Sequence, residues 1–172
     1  ILTYRGASTH YGASDIDISD IDGAWLYLST LNGNMTLLDK ILRTAKKKDI
    51  KVFFNPGKGE LSKPQELKAL LDDIDVLSVN REEAKQLVAG EELEELIRHA
   101  IHLVPVAIIS DGPNGVIASD GHKIIRAGMY KDVPVIDRTG AGDAFGSGFL
   151  SYWAKGKSLK DSIVFASANS TS

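Results

Sequence analysis

Asp137-Arg138-Thr139-Gly140-Ala141-Gly142-Asp143-Ala144-Phe145 joins a short apolar run, Val133-Pro134-Val135-Ile136, to a helical pattern that continues to about Lys155. A strand that enters a helix through a glycine-rich turn is a connection typical of α/β proteins. Two glycines at a helix start let backbone amides approach a ligand with no side chain in the way. The unpaired amides and the positive end of the helix dipole then favour an anion. Asp143 falls in the first helical turn, within reach of a group held on those amides. A carboxylate facing an anion hole suggests a donor phosphate and an acceptor hydroxyl meeting there, because in phosphoryl transfer an aspartate can orient the hydroxyl and take its proton. From the residue types alone, a capped helix after a tight turn accounts for the same stretch equally well.

Upstream, short apolar strands alternate with helical patterns. Ala24 to Leu28 reads as a strand, and Leu38, Ile41, Leu42 and Ala45 give the next helix one apolar face. Lys46-Lys47-Lys48 closes that helix, where cations suit the carbonyl end, and reads as a solvated terminus. Val52-Phe53-Phe54 is a strand stopped by Asn55-Pro56-Gly57, and a helix is expected from Pro64 to Leu71. Val76 to Val79 leads into Asn80 and a helix over Arg81 to Val88, followed by an acidic helix from about Glu91 to His102. Val106 to Ser110 reads as a buried strand. Gly115 to Ser119 and His122 to Ala127 flank Asp120-Gly121, a type I′ hairpin signal. The expectation is an α/β fold with a mainly parallel sheet and a single domain over residues 1–172.

Composition narrows the function classes. The chain has 172 residues, of which 43% are hydrophobic and 25% charged, ordinary globular usage. A net charge of −3 offers no electrostatic footprint for nucleic acid or an anionic membrane surface. The chain contains no cysteine, which removes disulfides, thiolate metal sites and cysteine nucleophiles and is compatible with a cytoplasmic location. The apolar run Leu103 to Ile109 is far shorter than the roughly 20 residues a membrane helix needs. The chain opens on Ile1 without an initiator Met, and Ser158-Leu159-Lys160-Asp161 opens a helix in which it stops, so it reads as a piece of a longer protein.

Two familiar phosphate motifs fail. The dinucleotide pattern G-x-G-x-x-G meets Phe145 where its third glycine belongs, and Gly156-Lys157-Ser158 lacks the first glycine of a Walker loop because Ser151 stands there. Asp15 to Asp22 is rich in carboxylates, but a calcium loop counted from Asp15 would need Gly at Asp20 and Glu at Leu26, so a solvated turn is expected. His99 and His102 lie one helical turn apart with no third ligand to make a zinc site. Trp25, Tyr27 and Trp153 read as core.

The segment Asp137 to Phe145 resembles the C-terminal signature of the ribokinase-like (PfkB) family of carbohydrate and nucleoside kinases, D-[TR]-T-G-A-G-D-x-F. The resemblance implies a three-layer α/β/α domain and an ATP-dependent transfer of phosphate to a hydroxyl of a sugar or related small molecule. It implies that Asp143 is the catalytic base and that Gly140, Ala141 and Gly142 supply the amides holding the transferring phosphoryl group. It also implies that Asp137 and Thr139 contribute to a monovalent-cation site, K⁺ for example. Asn80-Arg81-Glu82-Glu83 is similar to the family's N-x-x-E motif, in which Asn80 lies near the nucleotide phosphates and Glu83 helps place Mg²⁺ through water; the same spacing is also a capping box. Ser110-Asp111-Gly112-Pro113-Asn114-Gly115 is similar to the family's phosphate-contacting turn, which assigns Ser110, Gly112 and Gly115 to ATP. Ser167 falls where members place a residue beside the adenine, and a helix-surface serine is the other reading.

The resemblance covers the middle and C-terminal part of such a kinase, from Tyr4-Arg5-Gly6-Ala7 onward. The N-terminal portion, with most sugar contacts and the β-sheet lid, is not in this sequence, so the chain is expected to carry the phosphate half of a site. The implied partner is a small sugar or nucleoside acceptor, with neither nucleic acid nor membrane, and a homodimer through the lid strands belongs to the full-length protein. A non-catalytic nucleotide- or phosphate-binding module of the same fold is the alternative; Asp143 argues against it, since pure binding gains nothing from a carboxylate facing phosphate. A truncated remnant that needs a partner segment to fold is a third.

Overall fold

The computed structural model describes residues 17–128 and 140–170. The expected strand Val133 to Ile136, and Asp137 and Thr139 of the signature, lie outside the described residues. Among those described, one sheet holds β1 (Trp25–Leu28), β2 (Lys51–Phe54), β3 (Val76–Asn80), β4 (Val106–Ser110), β5 (Val116–Ser119) and β6 (Ile124–Ala127), in that spatial order. The β1–β2, β2–β3 and β3–β4 pairs are parallel and the last two pairs antiparallel, so the sheet is mainly parallel, as expected.

Helix α1 (Met35–Lys47) follows β1; α2 (Lys58–Leu61) and α3 (Pro64–Lys68) follow β2; α4 (Arg81–Leu87) and α5 (Leu93–Ala100) follow β3. Each crossover advances one strand in the same direction, and parallel crossovers are right-handed, so these helices cover one face. The other face carries α6 (Ala141–Trp153) and α7 (Leu159–Asn169). Strand residues alternate between the two. Val52, Phe54, Leu77, Val79, Ala107 and Ile109 pack with α1 to α5, while Phe53, Val76, Val106, Ile108 and Ala118 pack with Phe149, Leu159 and Ile163 of α6 and α7. Near-continuous apolar runs such as Val106 to Ile109 follow from this burial on both faces.

The lysine run at the end of α1 is exposed but not idle. Lys46 pairs with Asp73 at 2.5 Å, and Lys48 Nζ donates to the carbonyls of Ser19 and Ile21 at 2.5 and 2.7 Å. Of the carboxylates expected in a solvated turn, Asp15 lies outside the described residues and Asp17 caps a short 3₁₀ turn over Ile18–Asp20.

Two local expectations need correction. The stretch expected as one helix to Leu71 is shorter, ending at Lys68, and is preceded by the extra turn α2. That turn exists because Glu60 is buried: its carboxylate accepts hydrogen bonds from Thr30 Oγ1, Leu31 N, Gly33 N and Gly57 N at 2.7 to 2.9 Å. The β5–β6 connection is not type I′, which needs positive φ at both central residues. Gly121 has φ +80°, but Asp120 does not share that conformation; its carboxylate accepts from His122 N and Lys123 N, making a four-residue loop.

Candidate active site

Parallel strands in such a sheet present their carboxyl ends along one edge, where ligands bind. Asn80 and Ser110 are register partners at the last position of the β3–β4 ladder, so two sequence-selected residues meet there by strand pairing alone. β2 and β3 pair over only Phe53↔Val76 and Phe54↔Leu77, and beyond that point Asn55 Nδ2 donates to the Ser78 carbonyl at 2.7 Å. The carboxyl ends of β3 and β4 border a cavity of about 410 Å³.

Asn80, Glu83, Ser110, Gly112, Gly115, Ala141, Gly142 and Ser167 all line that cavity. Every residue selected for nucleotide contact except Gly140 therefore borders one space, although the set spans three separate connections and α7. Gly140 and Asp143 sit in the same turn as Ala141 and Gly142, exposed, but do not form part of the lining. The lining also includes Asn55, Ser78, Val116, Gly128, Phe145 and Ser170, which motif reading did not select. A polar residue at the carboxyl end of a parallel strand was the available signal for Asn55.

The local structure explains each position. At the start of α4, Asn80 Oδ1 accepts from Glu83 N at 2.9 Å and Glu83 Oε2 accepts from Asn80 N at 2.8 Å. The capping box is thus formed, and the same two residues face the cavity, so one reading does not displace the other. Glu83 retains its second oxygen beyond that cap. Arg81 ties the rim together: its guanidinium donates to the Glu91 carbonyl at 2.7 Å and lies 3.5 Å from Asp111, which also accepts from Asn114 Nδ2. The β4–β5 turn is anchored to α4 in this way. At Gly115, φ is +92° and a Cβ would stand 2.1 Å from the Ala127 carbonyl, so only glycine fits.

Gly140 is the N-cap of α6 in a left-handed conformation, φ +82°, and its carbonyl accepts from Ala144 N at 2.8 Å. The amides ahead of Ala144 have no acceptor within the helix. Gly142 is different: it is helical, and beyond its own turn no atom of the described residues stands within 4 Å of a Cβ placed there. Neither conformation nor packing against the described residues requires glycine at 142. Tyr27, on β1, reaches under this turn; burial first, and then the negative charge of Asp143, push its phenol up to about 12.

Among the described residues no cluster of three His, Cys, Asp or Glu could hold a metal by itself. His99 Nδ1 lies 2.5 Å from the Ala89 carbonyl. No described helix is long and apolar enough to cross a membrane.

Comparison with known proteins bears on the family and the fold. The sequence matches the pattern of the pfkB family carbohydrate kinases over residues 4–171. It is 27% identical over 174 residues to an ATP-dependent 6-phosphofructokinase of Thermoanaerobacterium thermosaccharolyticum, covering 94% of this chain and 54% of that protein. It is 30% identical over 129 residues to a cytidine kinase of Thermococcus kodakarensis, covering 72% and 46%. The structure superposes on Arabidopsis thaliana ribokinase, solved with ribose and ATP, with a TM-score of 0.75 and 25% identity over 90% of this chain and 50% of that one. The chain spans about half the length of the curated relatives it matches. A family pattern running through nearly the whole sequence, on a shared fold, makes this chain a member of the pfkB family of carbohydrate kinases.

Proposed function

We propose that this chain carries the phosphate-handling half of an ATP-dependent kinase that phosphorylates a hydroxyl of a sugar, nucleoside or related small molecule. The observation that carries the proposal is the single cavity at the carboxyl edge of the sheet, which gathers Asn80, Glu83, Ser110, Gly112, Gly115, Ala141, Gly142 and Ser167 from distant parts of the chain, with Asp143 one position beyond its rim. Backbone amides of Gly140, Ala141 and Gly142 hold the transferring phosphoryl group. Asn80, Ser110, Gly112 and Gly115 hold the remaining phosphates of ATP, with Ser167 beside the base. Glu83 holds Mg²⁺ through water, and bound Mg²⁺ neutralises charge on the phosphate oxygens. Asp143 orients the acceptor hydroxyl and takes its proton as the new bond to phosphorus forms. Asp137 and Thr139 contribute to a monovalent-cation site.

The test is ADP formation from Mg-ATP with a panel of sugars and nucleosides, using the chain together with its natural neighbouring sequence. Substrate-dependent ADP that falls by roughly 10²-fold or more in Asp143→Asn supports both the reaction and the base. Full activity in that variant would sink the role of Asp143. Nucleotide binding with no substrate-dependent ADP on a broad panel would support the binding-module reading instead. Dependence of the rate on added K⁺ checks the cation site.

A further inference from the structure

On the α6 side of the sheet, Tyr27 of β1 stacks on its register partner Phe53 with ring centroids 4.9 Å apart. The ring extends along that face until its hydroxyl meets α6 at Gly146: a Cβ built there would lie 2.6 Å from Tyr27 Oη and 2.9 Å from Cε2. The hydroxyl is shielded from water and has no hydrogen-bond partner among the described residues. A phenylalanine would make the same stack, so packing does not account for the oxygen. A buried hydroxyl without a partner is rare and costly, and asks for one.

The helix supplies the candidate. Asp143 precedes Gly146 by three residues, so both lie on one face of α6. The Asp143 side chain is exposed in the first turn and free to change rotamer. Its charge acts on the phenol, which ionises only near about 12 and so remains a donor at neutral pH.

We propose that Tyr27 is the positioning residue for Asp143: its O–H donates to one carboxylate oxygen of Asp143 and leaves the other facing the acceptor hydroxyl. The use made of that carboxylate rests on the kinase reading above; the contact itself does not. Tyrosine ¹³Cζ spectra at neutral pH test the contact, with the Tyr27 resonance identified by its loss in Tyr27→Phe. In Asp143→Asn the Tyr27 resonance is expected to move while those of the other four tyrosines stay. An unmoved Tyr27 resonance overturns the proposal whatever the activity. In the kinase assay, Tyr27→Phe is expected to lower kcat by about tenfold, the worth of one such hydrogen bond, with KM for Mg-ATP unchanged. Unchanged kcat, or a loss confined to KM, also overturns it. A wild-type protein with no kinase activity would refute the kinase reading, and the spectra would still decide the contact.

Discussion

Gly146 and Tyr27 show how one residue type is dictated from across the molecule. The glycine is helical and needs no unusual φ, but the Tyr27 ring occupies the space its side chain would take. Gly146→Ala should therefore destabilise the protein by about 2 kcal/mol through overpacking, measured by urea unfolding. Removing the hydroxyl relieves the closest contact, so Gly146→Ala should cost less in a Tyr27→Phe background. A coupling energy near zero in that double-mutant cycle would contradict the packing described.

At the scale of elements, the Asn80–Glu83 box does two things that can be separated. Serine caps a helix about as well as asparagine, whereas alanine loses about 1 kcal/mol. Asn80→Ser should keep the urea midpoint of the wild type and raise KM for Mg-ATP, while Asn80→Ala should lower both stability and affinity. Equal KM in the serine variant and wild type would leave the cap as the whole role of Asn80. Glu60 organises a second element from a distance. Burial pushes its carboxyl up, but hydrogen bonds from Gly33, Thr30 and Gly57 outweigh burial and hold it below 4.5. A depressed folded value means the contribution is complete above that ordinary value and is lost as pH falls through the folded one. Glu60→Gln should therefore cost about 3 kcal/mol near neutral pH and progressively less in acid, read from urea unfolding at both. The α4 box was legible in the sequence because it is local in spacing. The turn around Glu60 was not, because its four donors come from Thr30 to Gly33 and from Gly57.

Across the whole molecule, α6 couples the site to the core. Phe149 is fully buried and lies between Phe53 of the sheet and Trp153, with centroids 6.1 and 5.7 Å away. It is two turns along the helix that presents Gly140 to Asp143. Phe149→Ala should lower stability by about 4 kcal/mol by thermal or urea unfolding. The α6 turn is held by this packing, so kcat should fall in the same variant at temperatures where it remains folded.

The order of the described strands and longer helices, the mainly parallel sheet and the family could be read from the sequence, because burial on two faces writes continuous apolar runs and the glycine signature is contiguous. Motif spacing singled out Asn80, Glu83, Ser110 and Ser167, but their meeting around one cavity could not be read. Convergence depends on strand order and register, which bring Asn80 beside Ser110 and α7 against α6. Tertiary structure alone also decided the partners of Glu60, the place of Asn55 on the cavity wall and the buried hydroxyl of Tyr27 beneath α6. Each is a contact between segments far apart in the chain, and periodicity and spacing carry no information about which distant residue fills a given space.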